Sequence, residues 1–467
     1  MRRFIGRKRE LQALENEYAK TSSFVVIYGR RRVGKTTLIK EFIKNKPALY
    51  FLTTEEVESQ SMKSFTTALA GFIGQDYLRD TSFPNWEAMF RLFVETRPEE
   101  KKILIIDEFQ YLVQTNSAFP SIFQKVWDEL LLDNNVMVIL CGSSIRMMTT
   151  HTLAYDSPLY GRRTAQIRLQ PLRFSEIMVE YPRRDFTALV ELYSITGGVP
   201  KYFEFFQNEH SLMDNVRMNI LSKSGFLYEE PLFLLSNEVR EPINYLSLMR
   251  TIAEGRHRLS EIATVLERKT NSLSPYLETL IELDLIERRV PVTEKSPEKS
   301  RRGLYFIADN FINFWFTYVH PHRGELELDN DQVVLDKLAG DFIERYVPLR
   351  YEEICRDLFP WLCQEGRIDF APSRTGAYWN HKSTIEIDVG AVDVNQKRLF
   401  AAECKYLREK PVSFSVYSDL MKKCKNPDFK GYAITYGLFS RTGFDDRLVE
   451  LACNNPNLVL INENHRV

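Results

Sequence analysis

Apolar residues along this chain follow two patterns, unbroken runs and strict alternation, and the two occupy different parts of it. In the first third the runs are Phe24-Val25-Val26-Ile27-Tyr28, Ala48-Leu49-Tyr50-Phe51-Leu52-Thr53, Ile103-Leu104-Ile105-Ile106, Val136-Met137-Val138-Ile139-Leu140-Cys141 and Gln166-Ile167-Arg168-Leu169. Short runs of this kind predict strands, and the two most apolar, at 103–106 and 136–141, predict strands buried in a parallel sheet. Leu11, Leu14 and Tyr18 recur at helical spacing between such runs. From about Glu238 to Asp309 helical spacing takes over three times. The three stretches are Ile243–Ile252, Leu259–Leu266 with Ser260 as N-cap, and Leu273–Leu283. Two short strands follow, separated by a charged tip, Glu294–Gly303. In the last third the stretches Ile385–Val394 and Arg398–Lys405 alternate, with Asn395-Gln396-Lys397 as a turn between them, which predicts a hairpin.

Composition changes this picture little. A chain of 467 residues is too long for one core, and roughly two to four domains are expected. The 44% apolar and 27% charged residues are those of an ordinary globular protein. The formal net charge of −1 excludes a global basic field, so any nucleic-acid site must be a local patch. The six cysteines are scattered without a C-x-x-C pair, which argues for reduced thiols in a cytoplasm over a disulfide framework or zinc site. Met1-Arg2-Arg3-Phe4-Ile5-Gly6 runs directly into charge, so no signal peptide is read there. No apolar run is long enough to span a membrane. A cytoplasmic location without a membrane partner is therefore expected.

The first strand leads into Gly29-Arg30-Arg31-Arg32-Val33-Gly34-Lys35-Thr36 and then a helical stretch, Thr37–Ile43. This is G-x-x-x-x-G-K-[ST] between strand and helix. Glycines let backbone N–H groups turn inward around phosphates, and a helix N-terminus aims its dipole at them. Lys35 is the point charge for the β- and γ-phosphates, and Thr36 is a ligand for Mg²⁺. Gly29, Arg30, Arg32, Val33, Gly34 and Thr37 complete the expected nucleotide contacts. Asp107 and Glu108 follow the run 103–106, at the carboxyl end of a buried strand where ligands of open α/β sheets bind. Asp107 is expected to hold Mg²⁺ and Glu108 to polarise the attacking water. Ser143 and Ser144 follow the next strand. Either suits a group sensing the γ-phosphate or the water, and either suits helix capping before Ile145. Arg162 and Arg163, after Ser157-Pro158-Leu159-Tyr160-Gly161, are candidates to neutralise transition-state charge in cis or from a partner or second copy.

Folding the C-terminal hairpin about Asn395-Gln396 sets Asp388 opposite Glu403, and alternation sets Glu403 and Lys405 on one face. Two carboxylates and an ammonium on one face are ligands and charge suited to a second divalent metal and a phosphodiester. Paired cross-strand charges in a plain hairpin fit the same pattern. In the middle of the chain, Lys269, Thr270, Asn271, Ser272 and Ser274 begin the third helix of a helix-turn-helix, and Arg301 and Arg302 sit at the hairpin tip within reach of DNA phosphates. Glu278, Glu282 and Asp284 on that helix favour a packing role equally.

Phe4–Leu11, the Gly29–Thr36 loop, Ile103–Glu108, Ser157–Arg163 and Gly197-Gly198-Val199-Pro200 together resemble the archaeal-type ATPases of the AAA+/STAND group. The resemblance implies an α/β fold with three parts. The first is a P-loop NTPase with a parallel ASCE/AAA+-type five-stranded sheet, its P-loop strand central, and a helical lid. The second is an all-α, winged-helix middle. The third is an α/β, restriction-endonuclease-like C-terminal domain resembling the PD-(D/E)XK nucleases. It implies boundaries at 1–172, 173–236, 237–325 and 326–467. It also implies that the segment containing Arg7 lines the adenine pocket, that Pro200 approaches the base, and that a helix before the hairpin adds a glutamate, Glu353 with Glu344 as alternative. The expected activity is ATP hydrolysis coupled to the C-terminal module, with ATP or ADP and Mg²⁺ bound and DNA as a candidate partner. A signalling or scaffold switch with a silent nuclease-like domain, and an ATP-gated metal-dependent nuclease, are the alternatives.

Overall fold

The computed structural model describes residues 4–182, 184–236 and 238–467, so Met1, Arg2, Arg3, Arg183 and the boundary residue Asn237 lie outside the described residues. Two compact units are distinguished, Met1–Leu172 with Val199–Lys201, and Arg173–Gly198 with Tyr202–Val467.

In the first unit the five runs become β1 (Ser23–Tyr28), β2 (Ala48–Leu52), β3 (Lys102–Asp107), β4 (Val136–Gly142) and β5 (Ala165–Arg168), all parallel in the order β2-β3-β4-β1-β5. The strand carrying the glycine-rich loop is therefore interior but one place off centre, because β4 takes the middle. Every residue of β1, β3 and β4 is buried, and alternate residues feed two cores. Phe24, Val26, Leu104, Ile106, Val138 and Leu140 pack on one face with an aromatic group that includes Phe65, Trp86, Phe90 and Trp127. Val25, Ile27, Ile103, Ile105 and Ile139 pack on the other with Leu38, Ile39 and Phe42. Two-sided burial explains why these strands read as continuous apolar runs. Lys102 is fully buried at the start of β3. Its ammonium donates to the carbonyls of Phe93 (3.2 Å), Val94 (2.6 Å) and Thr96 (2.6 Å), closing the C-terminal end of the helix Trp86–Glu95.

The second unit contains three helices, Pro242–Ala253, Leu259–Val265 and Thr270–Glu282, and an antiparallel pair, β6 (Ile286–Arg289) and β7 (Leu304–Ile307). Ser260 lies inside the second helix. The cap is Arg258, whose N–H donates to Glu261 at 3.3 Å, because the acid three residues on competes better for that position. A six-stranded mixed sheet completes the unit, in the order β13-β12-β11-β10-β9-β8. Its strands are β8 (Arg374–Trp379), β9 (Glu386–Asp393), β10 (Arg398–Lys405), β11 (Ala433–Ser440), β12 (Leu458–Asn462) and β13 (His465–Arg466). The β9–β10 register pairs Asp393 with Arg398 and Val389 with Ala402, so one step further Asp388 stands opposite Glu403. The tip between β6 and β7 packs on this sheet. Val292 is buried in its core, Val292 N–H donates to Ala377 (2.9 Å), and Trp379 Nε1 donates to the Arg302 carbonyl (3.1 Å). Among the described residues no helix is long and apolar enough to cross a membrane.

Candidate functional site

The loop from Gly29 to Gly34 joins β1 to the helix Lys35–Phe42. Gly29 is required by close approach, since a Cβ there would stand 2.2 Å from the Leu169 carbonyl oxygen. Arg32 and Gly34 take left-handed φ values of 72° and 96°, which turn the loop inward before the helix starts. Lys35 is buried, and its ammonium donates to the carbonyls of Gly29 (2.7 Å) and Arg30 (2.9 Å), so its charge lies within the loop. Arg30 and Val33 are buried, while Thr36 and Thr37 are exposed on the first helical turn. Arg7 is also buried. Its guanidinium donates to the carbonyls of Val33 (3.0 Å) and Gln170 (2.5 Å), so what the structure shows is a brace for the outer side of the loop. Pro200 stands over Gly34, its Cγ 3.9 Å from where a Cβ would be.

The carboxyl end of β3 meets this loop. Thr36 Oγ1 donates to Asp107 Oδ2 at 2.9 Å, the Tyr50 hydroxyl donates to the same oxygen, and Glu108 N–H donates to Oδ1 at 3.0 Å. Burial first and the Asp107 charge second push the Tyr50 phenol well above its usual range, so it stays a donor. Glu108 sits at φ 58°, a left-handed turn that swings it away from the strand direction. Its Oε2 accepts from Ser143 Oγ (2.7 Å), from Ser143 N–H (3.1 Å) and from Gln110 Nε2. Gln110 also donates to Ser143 Oγ (3.2 Å). Gly142 leaves the room, because a Cβ there would meet Gln110 at 2.6 Å. The two serines thus divide the roles left open by the sequence. Ser143 holds Glu108, and Ser144 caps the helix Ile145–Met148 by accepting from Met147 N–H.

The oxygens of Thr36 and Asp107 meet at one point beside the loop, a hard-donor set that fits Mg²⁺, for which these two residues would be the protein ligands. Bound there, the ion would neutralise charge developing on the phosphates. Tyr50 and Gln110 were not found from the sequence. Tyr50 hides inside an apolar run, and only its register opposite Ile105 brings it to the strand end. Neither arginine after Gly161 joins this site within the chain. Arg162 is clasped by Asp128 (Nε 2.8 Å, Nη2 2.7 Å), and Arg163 lies over the Tyr160 ring at 5.7 Å. Among the described residues neither makes a hydrogen bond or ion pair to the loop.

The C-terminal hairpin gathers a second set of charges. Asp388 Oδ2 accepts from Cys404 N–H (2.8 Å) and lies 4.0 Å from Lys405 Nζ. Glu403 Oε2 takes Lys405 at 3.1 Å, and Oε1 takes Lys423 at 2.7 Å, a lysine from the helix Phe414–Lys423. Burial and then the Glu403 charge raise the Asp388 carboxyl above its usual range. Burial would lower Lys405, but Asp388 and Glu403 outweigh it and raise the ammonium. The helix Val347–Gln364 delivers Glu352 to this cluster, where the sequence reading favoured Glu353. Burial and the Asp388 charge push Glu352 up to about 8. Glu353, one residue on, points to another side and pairs with Arg289 (2.8 Å) and Arg350 (3.0 Å). These arginines outweigh its burial and hold it below the usual range. Successive helical residues diverge by about 100°, so only one of the two acids can face the hairpin. Glu344 is paired with Arg408.

The C-terminal donors do not fit a divalent metal as they stand. Both Glu403 oxygens are held by ammonium groups, and no group of three or more His, Cys, Asp or Glu suited to a metal occurs among the described residues. Arg302 is likewise not presented to a DNA phosphate. It donates to the Trp379 carbonyl, approaches Asp428 at 3.6 Å and lies over the Tyr378 ring. Arg301 beside it is exposed.

A glycine-rich loop with a buried lysine, backed by Asp107 and Glu108 at the end of a parallel strand, defines a P-loop ATPase. Residues 4–206 match a family described as an ATPase domain predominantly from Archaea, and residues 315–415 match archaeal and bacterial proteins of unknown function. An uncharacterised protein of Methanocaldococcus jannaschii is 32% identical over 441 residues, covering 94% of this chain and 95% of its own length. An uncharacterised ATP-binding protein of the same organism is 50% identical over 44 residues, 9% of this chain and 75% of its own. The Walker-type ATPase of Pyrococcus abyssi has the same fold over 67% of this chain and 96% of its own, with a TM-score of 0.50 and 19% identity. The chain belongs to this archaeal-type P-loop ATPase family, in the form that carries the C-terminal domain of unknown function.

Proposed function

We propose that this ATPase uses the Lys35–Asp107–Glu108 site to hydrolyse ATP and that nucleotide state repositions a winged-helix and nuclease-like module, in the manner of an AAA+/STAND switch. The observation that carries it is the hold of Ser143 and Gln110 on Glu108, beside the Thr36–Asp107 contact. That grip orients a carboxylate without neutralising it, as a water-polarising group requires. Lys35 would counter phosphate charge, and Asp107 with Thr36 would hold Mg²⁺. Arg162 and Arg163 remain candidates only toward a partner or second copy, Arg162 once released from Asp128. Arg7 and Pro200 belong to the nucleotide-contacting set in this reading, with Arg30, Arg32, Val33 and Thr37. The division at 172/173, 236/237 and 325/326 is part of the same proposal, as is a cytoplasmic location. Steady-state hydrolysis of ATP by wild type, Lys35→Ala and Glu108→Gln tests it. Turnover surviving both substitutions would sink the assignment.

A second reading, an ATP-gated nuclease acting on DNA, is favoured by the convergence of Glu352, Asp388, Glu403 and Lys405. Against it stands the lysine cover of Glu403, which supports a silent cluster serving as a binding platform. Cleavage of plasmid, branched and single-stranded DNA in Mg²⁺ or Mn²⁺, by wild type beside Asp388→Ala, separates the two. Cleavage lost in the variant establishes the nuclease. No cleavage on any substrate, with Lys35-dependent ATP turnover intact, leaves the switch.

A further inference from the structure

A cavity of about 420 Å³ lies within the second unit, walled by the helix Pro242–Ala253, strand β7, the helix Gln332–Asp341 and the helix Val347–Gln364. It adjoins the second of the two clusters described above, since Glu352 belongs to both. Five basic side chains line it, Arg289, Lys337, Arg345, Arg350 and Arg356. Three acids face them, Asp341, Glu352 and Glu353. The lining thus carries a formal excess of two positive charges (five against three), the complement of a phosphomonoester dianion.

The acids do not reach all the bases equally. Glu353 takes Arg289 and Arg350, Asp341 lies 3.5 Å from Arg345, and Glu352 lies 3.8 Å from Arg356. Lys337 has no acidic partner among the described residues, and its ammonium stands 6.0 Å from the Tyr318 ring. Arg350 is the more telling. Its side chain is 9% exposed, yet Nε has no hydrogen-bond acceptor among the described residues, and Nη1 reaches Glu353 only as an ion pair at 3.0 Å. Both nitrogens have next to no accessible surface, so Arg350 presents its charge, and not a free N–H, to the cavity. The remaining wall combines apolar and aromatic side chains, Ile252, Phe306, Tyr346 and Leu349, with the polar His257, Asn313 and Thr317. The space is far larger than an inorganic anion needs and is within the range of small-ligand sites.

We propose that this cavity binds a nucleoside monophosphate, its phosphate received by Arg350 with Lys337 and its base and sugar against the remaining wall. The site is separate from the P-loop and does not depend on the hydrolytic or nucleolytic readings above. The helix Val347–Gln364 lines the cavity with one face and carries Glu352 to the Asp388 cluster, so an occupant would touch the element that shapes that cluster.

Calorimetric titration of the full chain carrying Lys35→Ala, which silences the P-loop, tests this. The probes are the four ribonucleoside 5′-monophosphates, adenosine, inorganic phosphate and a 5′-phosphorylated oligonucleotide. Expected is saturable one-to-one binding of at least one monophosphate, with adenosine and phosphate each weaker by about tenfold or more. Adding Lys337→Ala or Arg350→Gln should weaken it by about tenfold or more. Lys337→Ala removes no ion pair, so its melting temperature should stay unchanged, and it keeps the test valid should Arg350→Gln misfold. Absence of saturable binding overturns the proposal, as does binding that survives Lys337→Ala undiminished. Phosphate binding as tightly as the nucleotides would overturn the organic part of the assignment. An oligonucleotide doing so would reassign the cavity to a strand end and overturn the free-ligand form.

Discussion

The two acidic clusters of this protein are built from the same side chains and held in opposite ways. At the end of β3, Asp107 and Glu108 are gripped by hydroxyls, an amide and backbone N–H groups. All of these donors are neutral, so none of these contacts is an ion pair. At the β9–β10 hairpin, Glu403 is gripped by two ammonium groups and Asp388 lies beside one. There the charge of Glu403 is already answered. The comparison teaches that presence of the right acids is a weaker sign of chemistry than the charge of whatever holds them.

The largest test of this contrast is at the first cluster. Lys35→Ala and Glu108→Gln should each lower ATP turnover by about 10²–10³-fold. Glu108→Gln should leave ATP affinity nearly intact, measured by titration beside single-turnover rates. Gly29→Ala should be next, lowering stability by roughly 1–3 kcal/mol, because its Cβ would overlap the Leu169 carbonyl. A denaturant series reads that directly. Ser143→Ala removes one donor from Glu108 and should cost about tenfold in kcat with KM unchanged. Equal loss in both parameters would count against a positioning role.

At the second cluster, Lys423→Ala uncovers one oxygen of Glu403 and should tighten Mn²⁺ binding by about tenfold, followed by paramagnetic resonance. No change would mean that the ammonium of Lys405 alone is enough to keep cations out. A last test concerns the neighbours Glu352 and Glu353, whose carboxyls shift in opposite directions. Glu352 is raised in the folded chain, so its contribution favours folding below about pH 4.5 and is lost as pH rises toward about 8. Glu353 is lowered, so its contribution is present above pH 4.5 and is lost as pH falls through its depressed value. Glu352→Gln should therefore flatten the stability profile between pH 4.5 and 8. Glu353→Gln should flatten it only below pH 4.5, with urea midpoints as the readout.

The nucleotide-binding half was largely legible because its signals are local. A strand buried on both faces reads as an unbroken run, and a phosphate loop needs its glycines and lysine at fixed spacing. The Asp388–Glu403 juxtaposition was also legible, since counting outward from a tight turn is arithmetic. What escaped depends on long-range direction. Nothing in Glu352-Glu353 says which acid a helix turns toward a hairpin that lies further along the chain. Tyr50 looked like one more apolar residue of a strand, and nothing local marks Lys423 as a partner of Glu403. Arg302 sat in a charged tip and read as free, whereas the packing of Val292 carries that tip onto β8.

That docking has a consequence for how such proteins diversify. The hairpin tip contributes a side chain to the core of the sheet that follows it, and Arg302 and Trp379 exchange hydrogen bonds across the seam. A recombination event cutting between residues 325 and 326 would leave one fragment with a stranded valine and the other with a hole. Across the proposed 325/326 division the hairpin and the six-stranded sheet therefore share one core. Lineages that exchange the sheet for another are expected to bring its matching hairpin with it.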